Sequence, residues 1–116
     1  MCVHDIGSIE VAFEDFYVYK YVRRTSNRRW CSFISKSRRN PQTRYATKGK
    51  VLYYSKGVPI TSSLDTTPGL YCYVQRHPYG SCMVALVPKG TRFRKAEGGT
   101  IVLAETIVPQ EFIYEP

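Results

Sequence analysis

The residues of this chain with the clearest capacity for chemistry are cations. Arg23, Arg24, Arg28 and Arg29 crowd one short stretch, and Lys36, Arg38, Arg39, Arg44, Lys48 and Lys50 follow soon after. Twelve of the 17 basic residues fall between Lys20 and Lys56, a span without a single Asp or Glu. Acids collect at the ends instead: Asp5, Glu10, Glu14 and Asp15 precede the block, and Glu97, Glu105, Glu111 and Glu115 follow Lys95. With a formal net charge of +8, this separation makes a dipolar molecule whose positive region attracts phosphate or an acidic protein surface.

Aromatic rings are interleaved with these cations: Tyr17, Tyr19, Tyr21 and Trp30 early in the block, Tyr45, Tyr53 and Tyr54 later. A cationic groove with rings is the chemistry of single-stranded nucleic-acid binding, where each stacked base contributes about 1–3 kcal/mol. The competing reading of the same rings is cross-strand packing. The partner-binding set is therefore Arg23, Arg24, Arg28, Arg29, Trp30, Lys36, Arg38, Arg39, Arg44, Tyr45, Lys48 and Lys50. The expected partner is nucleic acid or a nucleic-acid-binding protein, with phosphate contacts dominant and sequence preference slight. No signature of a named nucleic-acid-binding module accompanies the block.

Catalytic constellations are sparse. His77 sits beside Pro78 in a turn, and His4 has Asp5 and Glu10 as its nearby acids, so neither reads as the base of a nucleophilic site. Glu97 and Glu105 flank one strand, but Glu105 reads as easily as an exposed partner for one of the many arginines as a member of an acid/base pair. Phosphate-cradling glycine loops are absent, and Gly98-Gly99 reads as a turn. The four cysteines form no C-x-x-C pair, so no metal site and no cofactor are expected. Cys72 and Cys82, placed on antiparallel neighbours around His-Pro-Tyr-Gly, fall out of disulfide reach in either plausible register, so all four thiols are expected reduced.

The elements that must position the cations are strands. FYVYKYVRR (Phe16 to Arg24) alternates with period two, TSN is turn chemistry, and RRWCSFIS resumes strand composition, predicting a β-hairpin with four arginines at its tip. Ser35 to Lys50 reads as a long basic surface loop. KVLYYSK is a short strand, GVPITSSLDTTPG a connection, and GLYCYVQR with SCMVALVPKG a second hairpin. TRFRKAEGGTIVLAETIV predicts a third, turning at Ala96 to Gly99 before Pro109 ends the strand. SIEVAFEDF, with Ile9, Ala12, Phe13 and Phe16 at helical spacing, is the one candidate helix. The fold expected is mainly β: a single domain over residues 1–116, a small antiparallel barrel or sandwich of six to seven strands with at most one short helix. The N-terminus lacks signal-peptide character and no run reaches membrane-spanning length, so a cytoplasmic protein of undefined oligomeric state is expected.

Two resemblances bear on function. VALVPKGTRFR (Val84 to Arg94) resembles the apolar strand, Pro-x-Gly turn and following strand near the end of mono-ADP-ribosyltransferase toxins, and SFISKSR (Ser32 to Arg38) their central Ser-containing strand. That family places a glutamate pair where Cys82 and Val84 stand, so the alternative this resemblance implies is a mono-ADP-ribosyltransferase-like enzyme or a degenerate relative that has lost the carboxylates. Across most of the chain, YKYVRR, the Trp-containing second strand, GLYCY and KAEGGTIVLAE resemble small bacteriophage proteins, among them inhibitors of host defence such as anti-CRISPR proteins. This second resemblance implies a non-catalytic protein that binds a host macromolecule in the host cytoplasm, occupying nucleic acid or the nucleic-acid groove of a nucleoprotein enzyme.

Overall fold

The computed structural model describes residues 4–34, 46–47, 51–76 and 80–115. Its elements are strands: β1 (Glu10–Val11), β2 (Phe16–Tyr21), β3 (Arg23–Arg24), β4 (Trp30–Cys31), β5 (Phe33–Ile34), β6 (Ala46–Thr47), β7 (Tyr53–Tyr54), β8 (Ile60–Thr61), β9 (Leu70–Tyr73), β10 (Cys82–Val87), β11 (Arg92–Ala96), β12 (Ile101–Ala104) and β13 (Thr106–Ile113). Six of these have four residues or more; Arg23–Arg24, Trp30–Cys31, Phe33–Ile34 and Tyr53–Tyr54 are two-residue pieces of stretches read as strands, and Glu10–Val11, Ala46–Thr47 and Ile60–Thr61 fall where the sequence predicts none. A 3-10 turn, Glu97–Gly99, joins β11 to β12 where the Gly-Gly pair predicts a turn.

An eight-stranded antiparallel sheet runs β1-β11-β12-β9-β2-β10-β13-β8, accompanied by a three-stranded sheet β3-β4-β7 and the parallel pair β5-β6. The main core lies between the large sheet and the β4–β7 side: Val18, Leu70, Cys72, Met83, Ala85 and Val102 meet Tyr54, with Trp30 and Leu52 packed against them. This is a sandwich-like arrangement and not a closed barrel. A smaller cluster on the other face of the sheet gathers Tyr73, Ile101 and Leu103 under Tyr19, Tyr21 and Tyr71.

Several sequence expectations are corrected. SIEVAFEDF is extended: Glu10 and Val11 pair with Phe93 and Arg92, and Ile9 and Phe13 are exposed instead of sharing a buried helical stripe. A nine-residue helix is too short to hold itself together, whereas the free edge of β11 supplies hydrogen-bond partners along the whole segment. β9 and β10 are not a hairpin, because β2 lies between them, pairing Tyr19 with Tyr73 and Tyr21 with Cys82. Cys31, Cys72 and Cys82 are nevertheless free thiols, each buried.

Pro109 does not end the last strand. β13 continues through it with a bulge, Val84 facing Glu111 and Ala85 facing Pro109. The Pro109 carbonyl accepts from Gly57 N at 2.8 Å, so the nitrogen that lacks a hydrogen also points away from β10 and costs that ladder nothing. Within the stretch read as one long basic loop, Ala46–Thr47 pairs with β5.

The first hairpin is also divided. β2 belongs to the large sheet, the chain breaks at buried Val22, and β3 carries Arg23 and Arg24 into the small sheet opposite Cys31 and Trp30. One continuous alternating sequence thus serves two sheets at a corner.

Candidate nucleic-acid interface

The tip of the β3–β4 hairpin is built by Thr25. Its amide donates to Arg29 O at 2.8 Å, its carbonyl accepts from Arg28 N at 2.9 Å, and its Oγ1 accepts from Arg29 N at 3.1 Å. A hydroxyl that closes the turn this way fixes Arg28 in the left-handed region at φ 61°, a conformation that costs a side-chain-bearing residue some free energy. The result is that Arg23, Arg24, Arg28 and Arg29 are all exposed around one turn.

Rings, not carboxylates, hold two of these guanidiniums. Arg24 Cζ lies over the Trp30 ring at 5.1 Å from its centroid and over Tyr114 at 5.6 Å. Arg29 Cζ lies over Tyr53 at 3.8 Å. Trp30 is itself fixed from below, stacked on Phe112 at 5.1 Å with the planes 6° apart, and Tyr114 meets it edge-on at 6.0 Å. A guanidinium lying on a ring keeps its N–H edge for an external acceptor and loses little freedom when it binds one. All nine Asp and Glu side chains are described, and the ion pairs among the described residues are those of Arg92 with Asp65 and Glu105. The four tip arginines repel one another, and an anion brought from outside relieves that repulsion.

Arg23, Arg24, Arg28, Arg29 and Trp30 are thus brought together as the sequence predicts. Lys36, Arg38, Arg39, Arg44, Tyr45, Lys48 and Lys50 lie outside the described residues. Trp30 is not a platform for a base, since Phe112 and Arg24 occupy it; its part is to back an arginine. Tyr54 is a core residue, 4% exposed. Tyr19 and Tyr21 sit on the opposite face of the large sheet, where Tyr21 and Tyr71 each meet Tyr73 edge-on at 5.6 and 5.5 Å. Tyr114 joins the site unheralded, because nothing near it in the sequence is basic and its link to Arg24 is purely tertiary.

Lys20 leaves the cationic block altogether. It is 5% exposed and its Nζ donates to Tyr71 O at 2.8 Å, at the point where the β2–β9 ladder stops after one residue pair. Burial lowers its pKa, with the neighbouring Cys72 acting in the opposite sense. Burial likewise pushes the Cys72 thiol up to about 11, with Lys20 pulling the other way, and raises the Tyr54 phenol above its ordinary value.

Cys82, at one of the two positions compared with the transferase glutamates, is buried opposite Tyr21, and its thiol is raised by desolvation. β10 and β11 join different neighbours in the sheet and do not pair with each other. Among the described residues no three His, Cys, Asp or Glu side chains gather as metal ligands, and no helix is long and apolar enough to cross a membrane. No family model matches the sequence, and comparison with curated proteins and with solved structures gives no match in either case.

Proposed function

We propose that this is a non-catalytic binding protein whose cationic hairpin engages the phosphate backbone of nucleic acid. The observation that carries this reading is the pair of guanidiniums laid on rings, Arg24 on Trp30 and Arg29 on Tyr53, at a turn where four arginines have no carboxylate. Phosphate oxygens fit the exposed N–H edges, and the cover of Phe112 and Arg24 on Trp30 and of Arg29 on Tyr53 favours backbone contact over base readout among the described residues. In the setting that the sequence resemblance implies, a phage protein in a host cytoplasm, such a hairpin inhibits by covering a nucleic acid that a host enzyme needs.

Fluorescence-anisotropy titration against a mixed-sequence single-stranded RNA and a DNA duplex, across roughly 50–200 mM salt, tests it. Four phosphate contacts predict a logarithmic slope of affinity against salt near −3 for the single strand and near −4 for the duplex. Salt-independent binding, or none at the lowest salt, removes nucleic acid as the direct ligand and moves the hairpin to an acidic protein groove.

A further inference from the structure

The β1 end of the large sheet has a different exposed feature. Residues 4–12 run antiparallel along β11: Glu97 N donates to His4 O at 2.9 Å, Gly7 N to Lys95 O at 2.8 Å and Ala12 N to Thr91 O at 2.9 Å, with β1 in register between them. One side of this segment is used by β11. The other is the end of the eight-stranded sheet, and nothing among the described residues pairs with it. An open edge is a template for another strand, and proteins usually blunt such edges with short strands, charge, proline or a bulge; here the edge strand is short and carries Glu10. The sequence IGSIEVAF, Ile6 to Phe13, contains neither lysine nor proline.

What it presents is apolar. Ile6 (50%), Ile9 (39%), Val11 (60%) and Phe13 (82%) are exposed, four of the nine large hydrophobics so exposed among the described residues. Beside them opens a cavity of about 290 Å³ lined by Phe13, Phe16, Val74, Phe93 and Val102, which reaches the main core at Phe93 and Val102. That volume is at the bottom of the roughly 300–1,000 Å³ range of small-molecule sites and suits a large side chain. Glu10 and Glu14 line the same cavity with Lys95, and Asp5 and Asp15 are exposed on the same segment.

We propose that this edge is a strand-addition site for an extended segment of a partner protein that carries lysine or arginine and one large apolar side chain. The main-chain edge supplies register, the cavity takes the apolar side chain, and the carboxylates select cations. Charge excludes a second copy of the chain as the occupant, because symmetric pairing of two such edges sets one acidic strand against another. The site is independent of the hairpin, whose charge has the opposite sign.

The test uses short acetylated peptides that alternate lysine with valine around a central phenylalanine, a matched peptide with glutamate for lysine, and the full chain. Binding of the lysine peptide should perturb the backbone amides of residues 6–13 in a heteronuclear NMR titration. Phe13→Ser, at a position already exposed, should weaken binding about tenfold, and Glu10→Lys with Glu14→Lys should weaken it further, both leaving the nucleic-acid affinity of the hairpin intact. Equal binding of the glutamate peptide, indifference to Phe13→Ser, or a concentration-dependent dimer in sedimentation that protects these amides would each overturn the proposal.

Discussion

Arg92 and the arginines of the β3–β4 tip are the same residue type put to opposite uses. Arg92 is closed into the fold: Nε and Nη2 hold both oxygens of Glu105 at 2.7 and 2.8 Å, and Nη2 also reaches Asp65 Oδ2 at 3.0 Å. Glu105 in turn accepts from Leu64 N at 2.9 Å, so the fork ties the 62–65 connection to the sheet. Its carboxyl is held below the ordinary carboxylate range, chiefly by the Arg92 hydrogen bonds, and Arg92 is correspondingly raised. Arg24 and Arg29 lie on rings, which position a guanidinium without occupying its donors. An arginine's partner, more than its exposure, separates a structural cation from one kept for a ligand.

Exchanging the two kinds of partner gives the largest effect. Arg24→Glu with Arg29→Glu should lower nucleic-acid affinity by about a hundredfold or more at low salt, with little change in Tm. Arg92→Met should do the reverse, lowering Tm by several degrees and leaving affinity within about twofold, as seen by thermal melts and anisotropy on the same preparations. Because Glu105 titrates below its unfolded value, the contribution of the fork is complete above the ordinary carboxylate range and is lost as pH falls through the lowered value. The acid side of the stability profile should therefore flatten in Arg92→Met. Loss of affinity in Arg92→Met equal to that of the double reversal would erase the distinction.

A finer cut removes the ring and keeps the charge. Tyr53→Leu should weaken binding by about two- to fivefold, the equivalent of the roughly 0.5–1 kcal/mol of an exposed cation–π contact, with an unchanged salt slope. Unchanged affinity would mean that Tyr53 does not hold Arg29 ready.

The third cation, Lys20, has neither acid nor ring, and its effect is the smallest. Its folded pKa lies below the ordinary 10.5, so as pH falls through that value the unfolded chain takes up the proton first and the folded state loses ground. The stability of the natural protein relative to Lys20→Met should therefore be greatest above the ordinary 10.5 and decline as pH falls through it toward the lowered folded value, read from urea midpoints of the two proteins. A pH-independent difference would show that the Lys20 ammonium is not desolvated.

How much of this was legible beforehand follows from where each signal resides. The alternation of Phe16 to Tyr21, the Thr25–Arg29 turn and the Glu97–Gly99 turn are local, and each was readable. Lys20 was not: its residue type reads as surface, and only the neighbouring strand places Tyr71 O within its reach. Tyr114 under Arg24 was equally invisible, as was the extension of residues 4–12, which is imposed by the vacant edge of β11 against a locally helical spacing. The β9–β10 hairpin failed because adjacent strands with a good turn between them pair by default, and no local feature announces that β2 will intervene.

That intervention also decides how the chain must come together in time. β2 is near the start of the sequence, yet its neighbours β9 and β10 are made much later, so the centre of the sheet cannot nucleate from a local hairpin. Closing so long a loop before any pairing is rewarded implies high contact order and slow folding. During synthesis, FYVYKY waits as an unpaired aromatic strand until β9 is made, and lacks its longer partner until the chain has passed Val87, which makes that interval the period of greatest exposure to aggregation and to chaperones.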